Sequence, residues 1–144
     1  MTWLFLSDCA FDTCAEYCIK IDPASQATVC GVNFVNCWSS SCLNGDGCFI
    51  AGPTHGAQLT AHRFLNNRGN GLTVQGPAHS VYVDNSLVAG NSRGQPQVAS
   101  GIVFGDGASG FAVRNTRSGQ GIDFPNTQKW VLPIDKALAG RTAR

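Results

Sequence analysis

The chain has 144 residues, enough for one domain with a sizeable core. Ten Lys and Arg stand against nine Asp and Glu, and no basic patch stands out, so nucleic-acid binding has no electrostatic support. Glycine is abundant at 17, and Asn and Ser crowd the segments between apolar runs, as turns require.

Residues 1–6 (MTWLFL) are apolar but run into Ser7 and Asp8 and lack a basic leader. They make a poor signal peptide, are far too short to span a bilayer, and read as a strand. All seven cysteines follow in the first third: Cys9, Cys14, Cys18, Cys30, Cys37, Cys42 and Cys48. An odd number without a secretion signal points to assembly in a reducing compartment. The spacings Cys14 to Cys18 and Cys37 to Cys42 miss the tight two-residue knuckle, and no His lies among them. The thiols therefore read as small buried hydrophobes, with no metal or cofactor expected.

Two kinds of strand then alternate. Residues 58–67 align with residues 28–37, and residues 80–86 with residues 110–116. The first copy, residues 6–14, sets Phe11 over Phe34 and Cys14 over Cys37. Alternation sends Leu59, Ala61, Val81, Val83, Phe111 and Val113 inward. Asn66 falls over Asn36 and Asn115 over Asn85, where stacked amides satisfy one another.

The second kind is a cassette of glycine, large apolar, any residue, large apolar. It occurs as Gly47-Cys48-Phe49-Ile50, Gly71-Leu72-Thr73-Val74, Gly101-Ile102-Val103-Phe104 and Gly121-Ile122-Asp123-Phe124, at steps of 24, 30 and 20 residues. Self-similarity at such periods marks a solenoid, and cassettes this short can only be strands. Leu72, Val74, Ile102, Phe104, Ile122 and Phe124 face inward. Each coil reads as strand, Asn/Gly-rich turn, cassette and turn, and four to five coils fit before Pro125. Residues 1–126 are the solenoid. Residues 127–144 are a cap (128–132) and a basic tail.

Phe64-Leu65-Asn66-Asn67-Arg68-Gly69-Asn70-Gly71-Leu72-Thr73-Val74 resembles the generic coil of the pectate-lyase-like superfamily, in which an apolar residue and Asn lead to a Gly-initiated strand. The resemblance covers residues 3–124. It implies an all-β fold: a right-handed, single-stranded parallel β-helix of about five coils with a short C-terminal cap and tail. The superfamily includes pectin lyases and hydrolases, alginate epimerases and lyases, and trimeric tailspikes of bacterial viruses, and the fold does not choose among them. Secreted members have more coils and a cap at each end. This chain begins inside a strand, so its N-terminal end calls for a partner, either another chain or more of a longer protein.

Outward residues stack as well. One file reads Thr60, Tyr82, Ala112, and its neighbour Val32, His62, Asp84, Arg114, with members about 5 Å apart. As structure, the second file is an ion-pair ladder of little worth at a surface. As function, Tyr82 is a platform for a sugar ring, Arg114 pairs with an acidic sugar, and Asp84 or His62 moves protons. Thr60 and Trp38 complete the carbohydrate-binding candidates, Trp38 lying in a long turn where it either packs over the coil or stacks on a sugar.

Hydrolysis of a glycoside needs two carboxylates about 5 to 10 Å apart. Asp46, Asp84, Asp106 and Asp123 form no such pair within the chain, although a pair across two subunits is compatible with a trimer. His55 and His79, each in a Pro-containing turn, stack at one corner without a third metal ligand. Outward Phe49, Thr73 and Val103 make a flat sheet suited to a neighbouring subunit.

The expectation is a virion spike or fibre of tailspike type, assembled in the host cytoplasm. It is a homotrimer, or packs on another virion chain, and binds host surface polysaccharide with or without degrading it. Neither nucleic acid nor membrane insertion is expected. The alternative is a polysaccharide lyase, hydrolase or epimerase, secreted, or a fragment of one. A third reading is a purely structural module.

Overall fold

Short strands joined at sharp corners make up the chain. In the computed structural model of the protein, residues 2–94, 100–119 and 121–123 are described. The first coil carries β1 (Thr2–Ser7), β2 (Ala10–Asp12) and β3 (Ile19–Ile21). The second carries β4 (Val29–Val35), β5 (Trp38–Ser40) and β6 (Cys48–Ile50). The third carries β7 (Thr54–His55), β8 (Gln58–Thr60), β9 (Arg63–Leu65) and β10 (Leu72–Val74). Then come β11 (Tyr82–Asp84), β12 (Leu87–Ala89), β13 (Ile102–Phe104), β14 (Ala112–Arg114), β15 (Arg117–Ser118) and β16 (Ile122–Asp123). No helix occurs among the described residues.

Like strands of successive coils pair in parallel. Sheet A is β1-β4-β8-β11-β14 with β7 beside β4, sheet B is β2-β5-β9-β12-β15, and sheet C is β3-β6-β10-β13-β16. The chain is thus a parallel β-solenoid of about four turns. Its C-terminal boundary near residue 126, the cap, the tail and Phe124 all lie outside the described residues.

Alternation along each strand builds the core. On sheet C, Cys48, Leu72 and Ile102 form one inner file and Ile50, Val74 and Phe104 the next. All six are at most 1% exposed. On sheet A, Phe34, Leu59 and Val83 stack in the same way and are equally buried. Each large apolar side chain taken fully out of water contributes about 1.5–3 kcal/mol. The cassette glycines have a packing reason. A Cβ on Gly47 would collide with Asn67 Nδ2, and one on Gly71 would stand 2.7 Å from the Gly101 carbonyl oxygen.

The corners follow a rule the sequence reading missed. Asp8, Asn36, Ala61, Asn85 and Asn115 each follow the last residue of a sheet A strand and have φ between 45° and 55°. Thr13, Ser41, Asn66 and Gly90 do the same after sheet B, at 55° to 66°. Asn and Asp tolerate this left-handed conformation better than other side chains. Two such corners spread each coil over three sheets rather than two, and the third coil adds the two-residue β7.

The long strand expected over residues 58–67 is two strands, β8 and β9, broken at Ala61. Gln58 pairs with Asn33 rather than with Thr28. Phe11 pairs with Ser39, and Leu6 with Phe34, although the Phe11 ring still meets Phe34 edge-on at 6.4 Å. Cys14, two residues beyond Asp12, lies beside Cys42 rather than Cys37. Asn115 does lie over Asn85, but Asn36 belongs to that same file and Asn66 to the other. Asn marks both corners, so matching one Asn to another slips the register.

Candidate functional site

On sheet A the residues between the core positions point outward. The register places Ser7, Val35, Thr60, Asp84 and Arg114 in one outer file, and Phe5, Asn33, Gln58, Tyr82 and Ala112 in the next. Asp84 and Arg114 meet as expected, with Asp84 Oδ1 at 3.9 Å from Arg114 Nε. Their side chains are 31% and 51% exposed, so the pair adds at most about 1 kcal/mol. Its remaining hydrogen-bonding capacity faces solvent. Tyr82, half-buried, stands two residues from Asp84 on β11. Thr60 lies beneath Asp84, not beneath Tyr82 as expected from the sequence. Four of the candidates therefore share one patch: Thr60, Tyr82, Asp84 and Arg114.

His62 does not. It follows the left-handed corner Ala61, which resets the alternation, and its side chain turns into the core at 0% exposure. Nε2 lies 3.2 Å from Ser39 Oγ, Nδ1 has no partner, and the ring packs at a tilt against Phe64, centroids 4.4 Å apart. Burial pulls its pKa down to about 3, so the ring is neutral at ordinary pH. It cannot exchange protons with a ligand on the outer face. Val32, assigned to the same outer file, is likewise buried and pairs with Leu4.

Trp38 is in strand β5, not in a turn. It lies on the outer face of sheet B, 41% exposed, with the Arg63 guanidinium 5.8 Å from its ring. That is a cation–π contact on a different side of the solenoid from Tyr82.

His62 sits in an inner file of residues that come directly after the corner. The others donate to the carbonyl two residues back: Cys9 Sγ to Ser7 (3.2 Å), Cys37 Sγ to Val35 (3.4 Å), Ser86 Oγ to Asp84 (2.9 Å) and Thr116 Oγ1 to Arg114 (2.9 Å). Cys, Ser and Thr at this position share one task, which the sequence reading did not see. A second polar file is the amide ladder of Asn67 and Asn91. Asn67 Nδ2 donates to Asn91 Oδ1 (2.8 Å) and to the Ser39 carbonyl (3.1 Å), and Asn67 Oδ1 accepts from the Cys42 N–H (3.0 Å).

All seven thiols are free, with Cys37, Cys42 and Cys48 buried and the other four half-buried. Burial pushes the Cys48 thiol pKa up, and that of Cys18 to about 12, so neither is a ready nucleophile. His55 and His79 stack as expected, ring centroids 3.7 Å apart. Among the described residues no group of three or more His, Cys, Asp or Glu is placed to hold a metal ion.

The outer file of sheet C, Lys20, Phe49, Thr73 and Val103, has the expected register. It is less open than expected. Tyr17 covers Phe49 at 5.2 Å, and Thr73 is 6% exposed. No described helix is long and apolar enough to cross a membrane.

Arg68 and Arg93 were not singled out from the sequence, yet both line a cleft beside the second corner. The signal was an Arg-Gly pair in consecutive coils, Arg68-Gly69 and Arg93-Gly94. Compared with protein families, curated proteins and solved structures, the chain matches none.

Proposed function

We propose that this chain binds polysaccharide through the outer face of sheet A, as a spike or fibre protein of tailspike type acting at a host surface. The observation that carries the reading is the patch of Tyr82, Asp84 and Arg114. An aromatic ring, a carboxylate and a guanidinium lie side by side on a rigid sheet, with the charged pair 3.9 Å apart. An aromatic face stacks on a sugar ring, while Arg and Asp grip its hydroxyl and carboxylate groups. The pectate-lyase-like resemblance of residues 64–74 fits this reading, and the parallel β-solenoid supports it at the level of the fold.

Assembly as a homotrimer in the virion is part of the proposal. Trp3 and Phe5 support it, standing 72% and 67% exposed on the outer face of the end strand β1. Apolar groups that open to water are commonly covered by a second copy.

A panel of neutral and acidic oligosaccharides titrated against the intact chain tests the reading. Binding that falls about tenfold in Asp84→Ala and in Arg114→Ala is the expected result, each loss being about 1.4 kcal/mol. Unchanged binding in both variants would remove this face from the account.

The second reading is a lyase or epimerase. Asp84 is the one carboxylate in the two outer files of sheet A, which suits abstraction of a sugar proton beside an Arg-neutralised carboxylate better than two-carboxylate hydrolysis. Release of unsaturated or epimerised sugar, abolished by Asp84→Ala, is its signature.

A further inference from the structure

The loops from sheet B to sheet C stack coil upon coil, and on their outer side they leave an open cleft of about 420 Å³. Ser41, Leu43, Asn66, Arg68, Arg93 and Gly94 line it. Among the described residues its two arginines have no counter-ion. Among the described residues the ion pairs are Lys20 with Asp22 and Arg114 with Asp84, and no carboxylate lies within 4 Å of Arg68 or Arg93. The nearby Asp46 lines an adjoining cavity, also bordered by Arg68, and its Oδ1 is committed to the backbone N–H of Asn70 at 2.7 Å. Two arginines that line one cavity bring like charges to it, and an anion bound there relieves their repulsion.

The backbone fixes where the two arginines start. Arg68 N–H donates to the Cys42 carbonyl (3.0 Å), Arg93 N–H to Asn67 (3.3 Å) and Gly94 N–H to Arg68 (2.9 Å). The buried amide ladder of Asn67 and Asn91 braces the same loops from inside. Gly94 also sets the course of the Arg68 side chain. A Cβ on Gly94 would stand 2.7 Å from Arg68 Cγ and 2.9 Å from Nε, so any larger residue at 94 would push the Arg68 side chain aside. Ser41 and Asn66 add hydrogen-bonding groups, and Leu43, 54% exposed, supplies an apolar wall. Paired anion receptors, short polar side chains and one apolar wall fit an acidic sugar.

We infer that this cleft is a subsite for a carboxylate-bearing sugar unit of an acidic polysaccharide, whose carboxylate Arg68 and Arg93 bind together. The inference rests on the polysaccharide reading above but uses a different surface from Tyr82, Asp84 and Arg114.

The test titrates the intact chain by calorimetry with uronate oligosaccharides of several lengths and with their neutral methyl esters. Inorganic sulfate alone and a single-stranded oligonucleotide are run alongside. The charged oligosaccharide is expected to bind at least about ten times more tightly than the ester, with the preference eroding as salt is raised. Arg68→Ala and Arg93→Ala each weaken it about tenfold, as expected for loss of a charge-assisted contact. Gly94→Ala keeps both charges but displaces Arg68, and weakens it too. Lys20→Ala, on the outer face of sheet C and away from both surfaces, leaves the acid-over-ester preference in place. Circular dichroism and melting temperature confirm that every variant is folded.

Equal affinity for acid and ester, or full acid binding in the Arg68→Ala/Arg93→Ala double variant, overturns the inference. So does sulfate binding without any uronate binding, which would mean an adventitious ion only. Tighter binding of the oligonucleotide at the same arginines would assign the cleft to nucleic acid and overturn it as well. If no saccharide binds in either form, the polysaccharide reading falls and takes this one with it. If an acid preference exists but is lost in Arg114→Ala alone, only this inference falls.

Discussion

At Ala61 the backbone turns with φ of 53°, in a file where the neighbouring coils place Asn36 and Asn85. An L-residue with a Cβ and no polar side chain is strained there by about 1–2 kcal/mol, whereas Asn relieves part of it. Ala61→Asn is therefore expected to stabilise the protein by about 1 kcal/mol and raise Tm by about 4 °C in a thermal melt. The same dihedral explains the one candidate that left the surface patch. Alternation predicts the facing of a side chain only while φ stays negative, and His62 lies one residue past the break. Its folded pKa of about 3 is below the ordinary histidine value of about 6.5. Between those limits the unfolded chain holds a proton that the folded chain does not. Stability is then complete above about pH 6.5 and falls by about 1.4 kcal/mol per pH unit on acidification toward 3. Denaturant unfolding from pH 4 to 7 should show this slope reduced by about one proton in His62→Leu, the carboxylates contributing equally to both proteins.

At the scale of elements, three-residue strands have little stability of their own, and the corners between them decide the fold. The strand after each cassette glycine was readable because Gly-apolar-x-apolar has one register only. Leu72, Ile102 and Cys48 stack as the spacing requires. Sheet B was not readable. Its inner file runs Phe11, Ser39, Phe64, Val88 and Ser118, a mixture of apolar and hydroxyl residues without a period of its own. The hydroxyls are tolerated because polar neighbours satisfy them, as His62 does for Ser39. The amide ladder is where this element is most vulnerable. Asn67→Ala would leave the buried Cys42 N–H without its acceptor and take a donor away from both the Ser39 carbonyl and Asn91 Oδ1. The expected cost is about 3 kcal/mol in denaturant unfolding, against less than about 1 kcal/mol for Asp84→Ala at the surface.

For the whole molecule, stacking by coils converts sequence neighbours into separate faces and distant residues into neighbours. Asp84 and Arg114, 30 residues apart, touch, while Trp38 and Tyr82 lie on different sheets. End strand β1 carries Trp3 and Phe5 in the open. If these cover a second copy, a Trp3→Ser/Phe5→Ser variant should run at monomer mass in light scattering where the parent runs as a multiple of it. A parent that is itself monomeric would remove the oligomer from the proposal. By itself the sequence determined that the protein is a parallel β-solenoid, how far apart its cassettes lie, and that Asp84 meets Arg114 one coil away. Those properties follow from local periodicity and from a strand spacing common to all sheets. Only the tertiary structure decided the third strand of each coil, the burial of His62 and the pairing of Arg68 with Arg93 around one cleft. Each depends on left-handed corners and on loops of unequal length, and neither leaves a regular period in the chain.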